Sequence, residues 1–513
     1  MALERQTARA ASKRNPLSND LESLSRATRA FIDKEKRLFI DGEWGSDRGG
    51  GKFPIVDPSS EEQLGEICIA TKGEVDRAVD SARQAFAGWR SAPPDQREQL
   101  LRRLADLLNA NATELAQLES VDVGKPIAHS SFVDVPLSVE VLNYTAGLAT
   151  KLSGHMLNPS MKLLPGQRFV AYTRQEPRGV VAAIIPWNFP LLVAVMKVAP
   201  ALAAGCTVVL KPAEDASMAS LRLAELAVEA GFPRGVINVV TGDGPTTGRA
   251  LINNPNVDMI AFTGSTATGT EIGHAAAEGI RERILELGGK SPVVVMADAN
   301  LDWAAETAAA AILFNTGQDC TAGSRLLIQR PVFDQVLDKV AQLMRKVRIG
   351  APLDKGSEMG PLISKKQFDR VMGYMTKGVQ DGAELLIGGN RHGTKGFYVE
   401  PTVFINAPSK SRIVCEEIFG PVLVVQSFDD LDEALKIAND THYGLGASFW
   451  STSPTWIQQA AETIESGTVW VNTHGALDPC IPFGGYKRSG LGREFGEMSI
   501  RNFTQTKSVV MRV

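Results

Sequence analysis

The chain has 513 residues, enough for roughly two to four domains and a large core. Hydrophobic residues make up 44% and charged residues 22%, which excludes a disordered chain. The 54 basic and 58 acidic side chains leave a net charge of −4, so nothing in the charge points to nucleic acid.

Residues 1–30 are rich in Arg, Ser and Ala, as in an organelle transit peptide. Glu4, Asp20 and Glu22 break the acid-poor pattern, and no apolar signal core is present. We expect a mobile extension leading into a short helix. Residues 39–44, Phe-Ile-Asp-Gly-Glu-Trp, read as a small hairpin. Thr71 with Glu74 three positions on is a capping box, and Val75, Ala78, Val79 and Ala82 follow at helical spacing. A second helix starts at Pro94 and Asp95 and carries Leu100, Leu101 and Leu104.

The most apolar stretch, 180–206, contains Pro186, Asn188, Pro190, Lys197 and Pro200. A membrane span tolerates these poorly, so the stretch reads as a strand, a turn and a core helix, with no membrane partner. Apolar runs at 180–185, 207–210, 236–240, 259–262 and 292–296 alternate with helical stretches at 219–230 and 270–277. This is the pattern of a doubly wound, Rossmann-like α/β domain. A second alternating region has strands at 325–329, 422–428 and 468–472. The terminal run 504–513 is a lone strand, and 167–174 is its available partner. Together they would form a ribbon that pairs subunits into an oligomer.

The five cysteines, Cys68, Cys206, Cys320, Cys415 and Cys480, are scattered and form no C-x-x-C pair. That argues against a disulfide framework or a metal site and for a reducing, cytoplasmic location. Cys320 differs from the others. It lies in 314–325, Phe-Asn-Thr-Gly-Gln-Asp-Cys-Thr-Ala-Gly-Ser-Arg, among small and polar residues that let a substrate approach. From this segment alone a structural cysteine fits equally well. Glu286, in Leu-Glu-Leu-Gly-Gly-Lys just before a buried strand, is a carboxylate among apolar neighbours. Desolvation would raise its pKa, but from this segment alone a glutamate salt-bridged to Lys290 is the favoured reading. In 186–190, Pro-Trp-Asn-Phe-Pro, two prolines fix a turn that offers the Asn188 amide. The segment 262–269, Phe-Thr-Gly-Ser-Thr-Ala-Thr-Gly, joins a strand to a helix N-terminus, where a pyrophosphate can sit. Lys211-Pro-Ala-Glu214 ends the next strand, where a carboxylate binds ribose hydroxyls and repels a 2′-phosphate.

Taken with Glu-Ile-Phe-Gly-Pro at 417–421 and Pro-Phe-Gly-Gly at 482–485, these motifs resemble the aldehyde dehydrogenase superfamily, in order and across nearly the whole chain. The resemblance implies an NAD-binding domain at 31–150 and 175–286, an α/β catalytic domain at 287–490 and a β-ribbon oligomerisation domain at 151–174 and 491–513. It implies Cys320 as nucleophile, Glu286 as general base and Asn188, with the Cys320 backbone N–H, as oxyanion donor. NAD, rather than NADP, would be held by Ile185, Trp187, Lys211, Glu214, Gly244, Gly264, Ser265, Glu417 and Phe419. The subunits would form a homodimer or homotetramer. A thiol hydrolase would need a histidine partner for Cys320, and none is local; a non-enzymatic paralogue would usually lack the cysteine or the glutamate.

The family's substrate funnel would be lined by Phe189, Val193, Met196, Phe314, Asp319, Thr321, Leu477 and Phe483. Most are apolar, which suits an aryl or medium-chain aldehyde. Residues 144–151 with 470–474 resemble the phenylacetaldehyde dehydrogenase branch. Asp319 resembles the aminoaldehyde dehydrogenases, where a carboxylate could hold an ammonium, so a 4-aminobutyraldehyde-type substrate is the alternative. Asp319 bonding only to backbone amides is a third reading.

Overall fold

The computed structural model describes residues 16–45 and 49–513. Residues 1–15, half of the expected mobile extension, lie outside this range. Residues 16–30 are packed: the Ser25-capped helix Arg26–Asp33 buries Thr28, whose hydroxyl donates to Gln117, and Asn19 reaches Asp57 and the Leu353 amide.

The 39–44 hairpin forms, and the Thr71–Glu74 capping box closes in both directions. Five strands make the parallel core of the first sheet: β1 Val180–Ile184, β2 Thr207–Lys211, β3 Ile237–Val239, β4 Met259–Thr263 and β5 Glu282–Glu286. Their order is β5-β4-β1-β2-β3. The chain runs outward from β1 to β3 and then returns to the other side of β1 with β4. Helix α1, Pro190–Ala204, follows β1 and is buried along its whole length; α2, Thr266–Glu278, follows β4. Strand β5 was not anticipated. It reads Glu-Arg-Ile-Leu-Glu, and only its last three residues are buried, so its apolar signal is short.

The run at 292 opens the second sheet instead of extending the first. Strands β6 Pro292–Val295 and β7 Arg325–Gln329 are neighbours there, joined by helix α3, Leu301–Leu313. The sheet has seven strands, parallel except for an antiparallel edge. Only 287–291 separate the C-terminal end of β5 from the N-terminal start of β6. The carboxyl edge of one sheet therefore meets the amino edge of the other.

The terminal strand Thr504–Arg512 pairs antiparallel with Phe169–Pro177 over its whole length, with Met156–Leu157 on the far side. This ribbon leaves Met156, Val510 and Met511 exposed. No helix of the described residues is long and apolar enough to cross a membrane.

Candidate active site

The loop between α3 and β7 carries Cys320. Asn315, Thr316 and Gly317 are three consecutive left-handed residues, with φ of 47°, 59° and 69°. Such backbone is costly for residues with a Cβ and persists only where its surroundings hold it. Here Asn315 Nδ2 donates to the carbonyls of Asn188 and Gln318, both at 3.1 Å. Gln318 donates to Asn315 O and accepts from the Ile363 amide, and Thr316 Oγ1 donates to Gly360 O. A Cβ on Gly317 would lie 2.2 Å from Gly420 O.

The Gly-Gly after Glu286 has an equally concrete reason. A Cβ on Gly289 would meet Cys320 O at 2.3 Å, and one on Gly288 would meet Glu417 Oε2 at 2.5 Å. Two absent side chains thus let the Cys320 loop and a second carboxylate close onto the link between the sheets.

Glu286 ends β5. Both its carboxylate oxygens are buried without a hydrogen-bond partner. Burial holds its pKa well above the usual carboxylate range, and Glu494 adds to this against Lys197 and Arg493. Burial likewise pushes the Cys320 thiol well up, followed by the charges of Asp319, Glu417 and Glu286. Lys197 and Glu494 form a buried ion pair at 2.6 Å, and Glu494 faces the same cavity. Their roles were missed; the signal was Lys197, a cation inside an otherwise apolar helix.

A cavity of about 320 Å³ ends on Cys320 and Glu286. Phe189, Val193 and Met196 line it from α1 and the turn before it, and Phe314, Asp319 and Thr321 from the Cys320 loop. Leu477 and Phe483 also line it, so all eight expected residues face one space. Val133, Leu137, His474 and Phe495 also line it and were not foreseen. Phe189 stacks on Phe314 with centroids 6.0 Å apart, and Phe483 packs on Phe495 at 6.3 Å. Asp319 Oδ1 accepts from the Thr321 amide and hydroxyl at 2.9 and 3.0 Å. The Asn188 amide donates to Gln318 O at 3.0 Å, which anchors it beside the Cys320 loop.

His474 is the histidine that folding brings to the cavity. Its Nε2 lies 2.9 Å from Thr321 O, a pure acceptor, so Nε2 carries the hydrogen and Nδ1 accepts from Ser448 at 3.2 Å. Both nitrogens are committed, and burial lowers its pKa. It is placed to brace the loop rather than to deprotonate a thiol.

Of the other expected residues, Ile185, Trp187, Lys211, Glu214, Gly264 and Ser265 sit at the carboxyl ends of β1, β2 and β4, Gly244 follows β3, and Glu417 and Phe419 reach in from the loop before a strand of the second sheet. These carboxyl ends mark the switch point of the strand order, where open α/β sheets bind ligands. The Ile185 amide donates to Lys211 O, and Trp187 meets Phe419 edge-to-face at 5.2 Å. Lys211 Nζ lies 3.6 Å from Glu214, and burial lowers its pKa. The Gly264 amide donates to Glu286 O. Ser265 caps α2, its hydroxyl accepting from the Thr268 amide at 3.2 Å. A Cβ on Gly244 would point into open space. Glu417 accepts from the Gly289 amide at 2.9 Å, and burial raises its pKa to about 7. An exposed helix N-terminus, a lysine–glutamate pair one strand away and an aromatic flank fit a dinucleotide laid across this edge. Among the described residues no group of three or more His, Cys, Asp or Glu could hold a metal ion.

A profile of the aldehyde dehydrogenase family matches residues 44–509. A phenylacetaldehyde dehydrogenase of Pseudomonas fluorescens is 46% identical over 93% of this chain and 95% of its own length. Human retinaldehyde dehydrogenase 3 is 42% identical over 96% of each chain. Among solved structures, the NAD+ complex of a Bacillus cereus aldehyde dehydrogenase matches with a TM-score of 0.93 at 42% identity, over 96% of this chain and 99% of that one. An indole-3-acetaldehyde dehydrogenase of P. syringae, solved with NAD+ and IAA, matches with a TM-score of 0.91 at 40% identity, over 95% and 99%. The chain belongs to the aldehyde dehydrogenase family.

Proposed function

We propose that this enzyme oxidises an aryl aldehyde to its carboxylic acid with NAD. The observation that carries this reading is the apolar cavity with two aromatic pairs, ending on a cysteine and an unpartnered buried carboxyl group. Cys320 Sγ adds to the aldehyde carbon, and its proton passes to the Glu286 carboxylate and on to solvent. The resulting oxyanion is stabilised by the Asn188 amide and the Cys320 N–H. When bound, the nicotinamide supplies the hydride acceptor. Loss of hydride from carbon leaves a thioester on Cys320. Glu286, whose raised pKa suits a general base, takes a proton from the water that hydrolyses it.

The residues gathered at the first sheet's carboxyl edge hold the cofactor in this reading: Lys211 and Glu214 at the adenosine ribose, Ser265 and the α2 N-terminus at the pyrophosphate, Glu417 and Phe419 near the nicotinamide ribose. The Glu214 carboxylate favours NAD over NADP.

For the substrate, an aryl ring agrees with the walls and with the activity named for the P. fluorescens and P. syringae relatives. The aminoaldehyde alternative needs a carboxylate at the amine end of the substrate. Asp319 sits beside the nucleophile, at the aldehyde end, and one of its oxygens is engaged by Thr321. We assign the cofactor domain to 31–150 and 175–286, the catalytic domain to 287–490 and the ribbon to 151–174 and 491–513. The ribbon's exposed apolar side chains support homo-oligomerisation, and five cysteines that form no disulfide agree with a cytoplasmic enzyme.

The test is kcat/KM for phenylacetaldehyde, benzaldehyde, hexanal and 4-aminobutyraldehyde with NAD and NADP, read as NADH or NADPH formation. Phenylacetaldehyde with NAD should lead. A lead for 4-aminobutyraldehyde would transfer the assignment to the alternative.

A further inference from the structure

Behind the aromatic wall of the cavity lies a group of charges that the chemistry above does not use. Lys125 and Asp134 form an ion pair at 2.7 Å with both side chains fully buried. Glu119, also fully buried, hydrogen-bonds the Asp134 side chain and accepts from the Leu191 amide at 2.9 Å, in the first turn of α1. The Lys125 ammonium sits 3.9 Å from the centroid of the Phe189 ring. Lys125 does not line the cavity, whereas Phe189 does, so the cation meets the ring from outside the pocket. His129 packs on Phe314, the other ring of the same wall, at 4.7 Å.

A cation on one face of an aromatic ring attracts its π electrons, and a dry site strengthens the effect. The cavity side of Phe189 is thereby left electron-poor. Aromatic contacts, stacked or edge-to-face, are strongest when their charge distributions complement one another. An electron-poor wall prefers an electron-rich guest and is a poor host for an ammonium.

We propose that Lys125, held by Asp134 and Glu119, is a specificity-determining residue that acts through Phe189 and tunes the pocket toward electron-rich aryl substrates. This rests on the aryl reading above. Lys125 does not touch the substrate; it is a positioning residue, and its effect is read as a substituent dependence, which a purely structural role would leave unchanged.

The experiment uses para-substituted phenylacetamides, unreactive competitors whose inhibition constants contain no chemical step. In the native enzyme, saturated with NAD, the methoxy compound should bind about fivefold more tightly than the nitro compound. The double variant Lys125→Met/Asp134→Asn removes both charges of the pair together, which is often tolerated in a protein interior. In it the two compounds should bind equally. Phe189→Leu, which removes the ring and leaves the ion pair, should also abolish the difference and serves if the double variant does not fold. An unchanged preference in either variant overturns the proposal, as does a flat series in the native enzyme that still oxidises phenylacetaldehyde. If the native enzyme oxidises hexanal but not phenylacetaldehyde, the aryl reading falls and this inference with it.

Discussion

The Cys320 loop and the cofactor edge both meet the five-residue link 287–291, yet they are built in opposite ways. Around Cys320 the backbone is over-determined. Three left-handed residues, three buried amide side chains and two close backbone approaches leave it one conformation. At the cofactor edge Ser265 and Lys211 are satisfied by weak local partners, Ser265 by its own helix and Lys211 by a neighbouring carbonyl and a glutamate 3.6 Å away. A covalent step needs its reacting atom fixed before the substrate arrives, because a misplaced nucleophile costs rate directly. A cofactor that must enter and leave is better served by donors that exchange a local partner for a ligand at little cost.

That contrast predicts large losses on one side and small ones on the other. Cys320→Ala should abolish NADH formation while NAD still binds; residual turnover would remove the nucleophile assignment. Glu286→Gln should slow deacylation by about 10²- to 10⁴-fold, and a thioester should accumulate on Cys320, visible as an intact-mass increase after a single-turnover burst. An unacylated, slow enzyme would place the base elsewhere. Gly317→Ala tests the loop geometry without touching a reactive group. Its Cβ would lie 2.2 Å from Gly420 O at a left-handed φ, so the loop must shift or lose about 1–3 kcal/mol of local stability. kcat should fall at least tenfold with the KM for NAD little changed.

Much of this division was legible in the sequence because it is written in short-range terms. The capping box at Thr71, the apolar runs of β1 to β4 and the lone terminal strand are local patterns, and each formed as read. Which candidate residues would meet was legible through the order of their motifs: the eight expected cavity residues share one space with Cys320 and Glu286. What stayed hidden was the reason for individual letters. Gly288 and Gly289 are small because Glu417 and Cys320, distant in the chain, pass over them. Lys197 lies in an apolar helix because Glu494, nearly three hundred residues away, pairs with it. Strand β5 was missed because its first two residues are charged and its buried part spans only three positions.

On the cofactor side the predicted effects are graded. Glu417 has its pKa raised to about 7 by burial, so it gains its charge as pH rises through neutrality. A charged carboxylate is the stronger acceptor for a ribose hydroxyl. The KM for NAD should therefore fall as pH rises from 6 to 8, and Glu417→Gln should flatten that dependence while raising KM throughout. A pH-independent KM in the native enzyme would detach Glu417 from the cofactor.

The smallest expected effect belongs to Ser265. Its hydroxyl accepts from the Thr268 amide and lies 2.9 Å from the Thr268 hydroxyl, so in the free enzyme it is an ordinary N-cap. Removing an N-cap costs about 1 kcal/mol of helix stability, and α2 is a single surface helix of a large domain, so Tm should barely move. If the same hydroxyl also serves the pyrophosphate, Ser265→Ala should raise the KM for NAD about threefold to tenfold with kcat nearly unchanged. Ser265→Asp separates the two roles most sharply. Aspartate caps a helix as well as serine does, so stability should be kept, whereas its negative charge beside a pyrophosphate should raise the KM for NAD more than alanine does. Equal KM values for the aspartate variant and the native enzyme would leave Ser265 as a cap alone and move the pyrophosphate away from the α2 N-terminus.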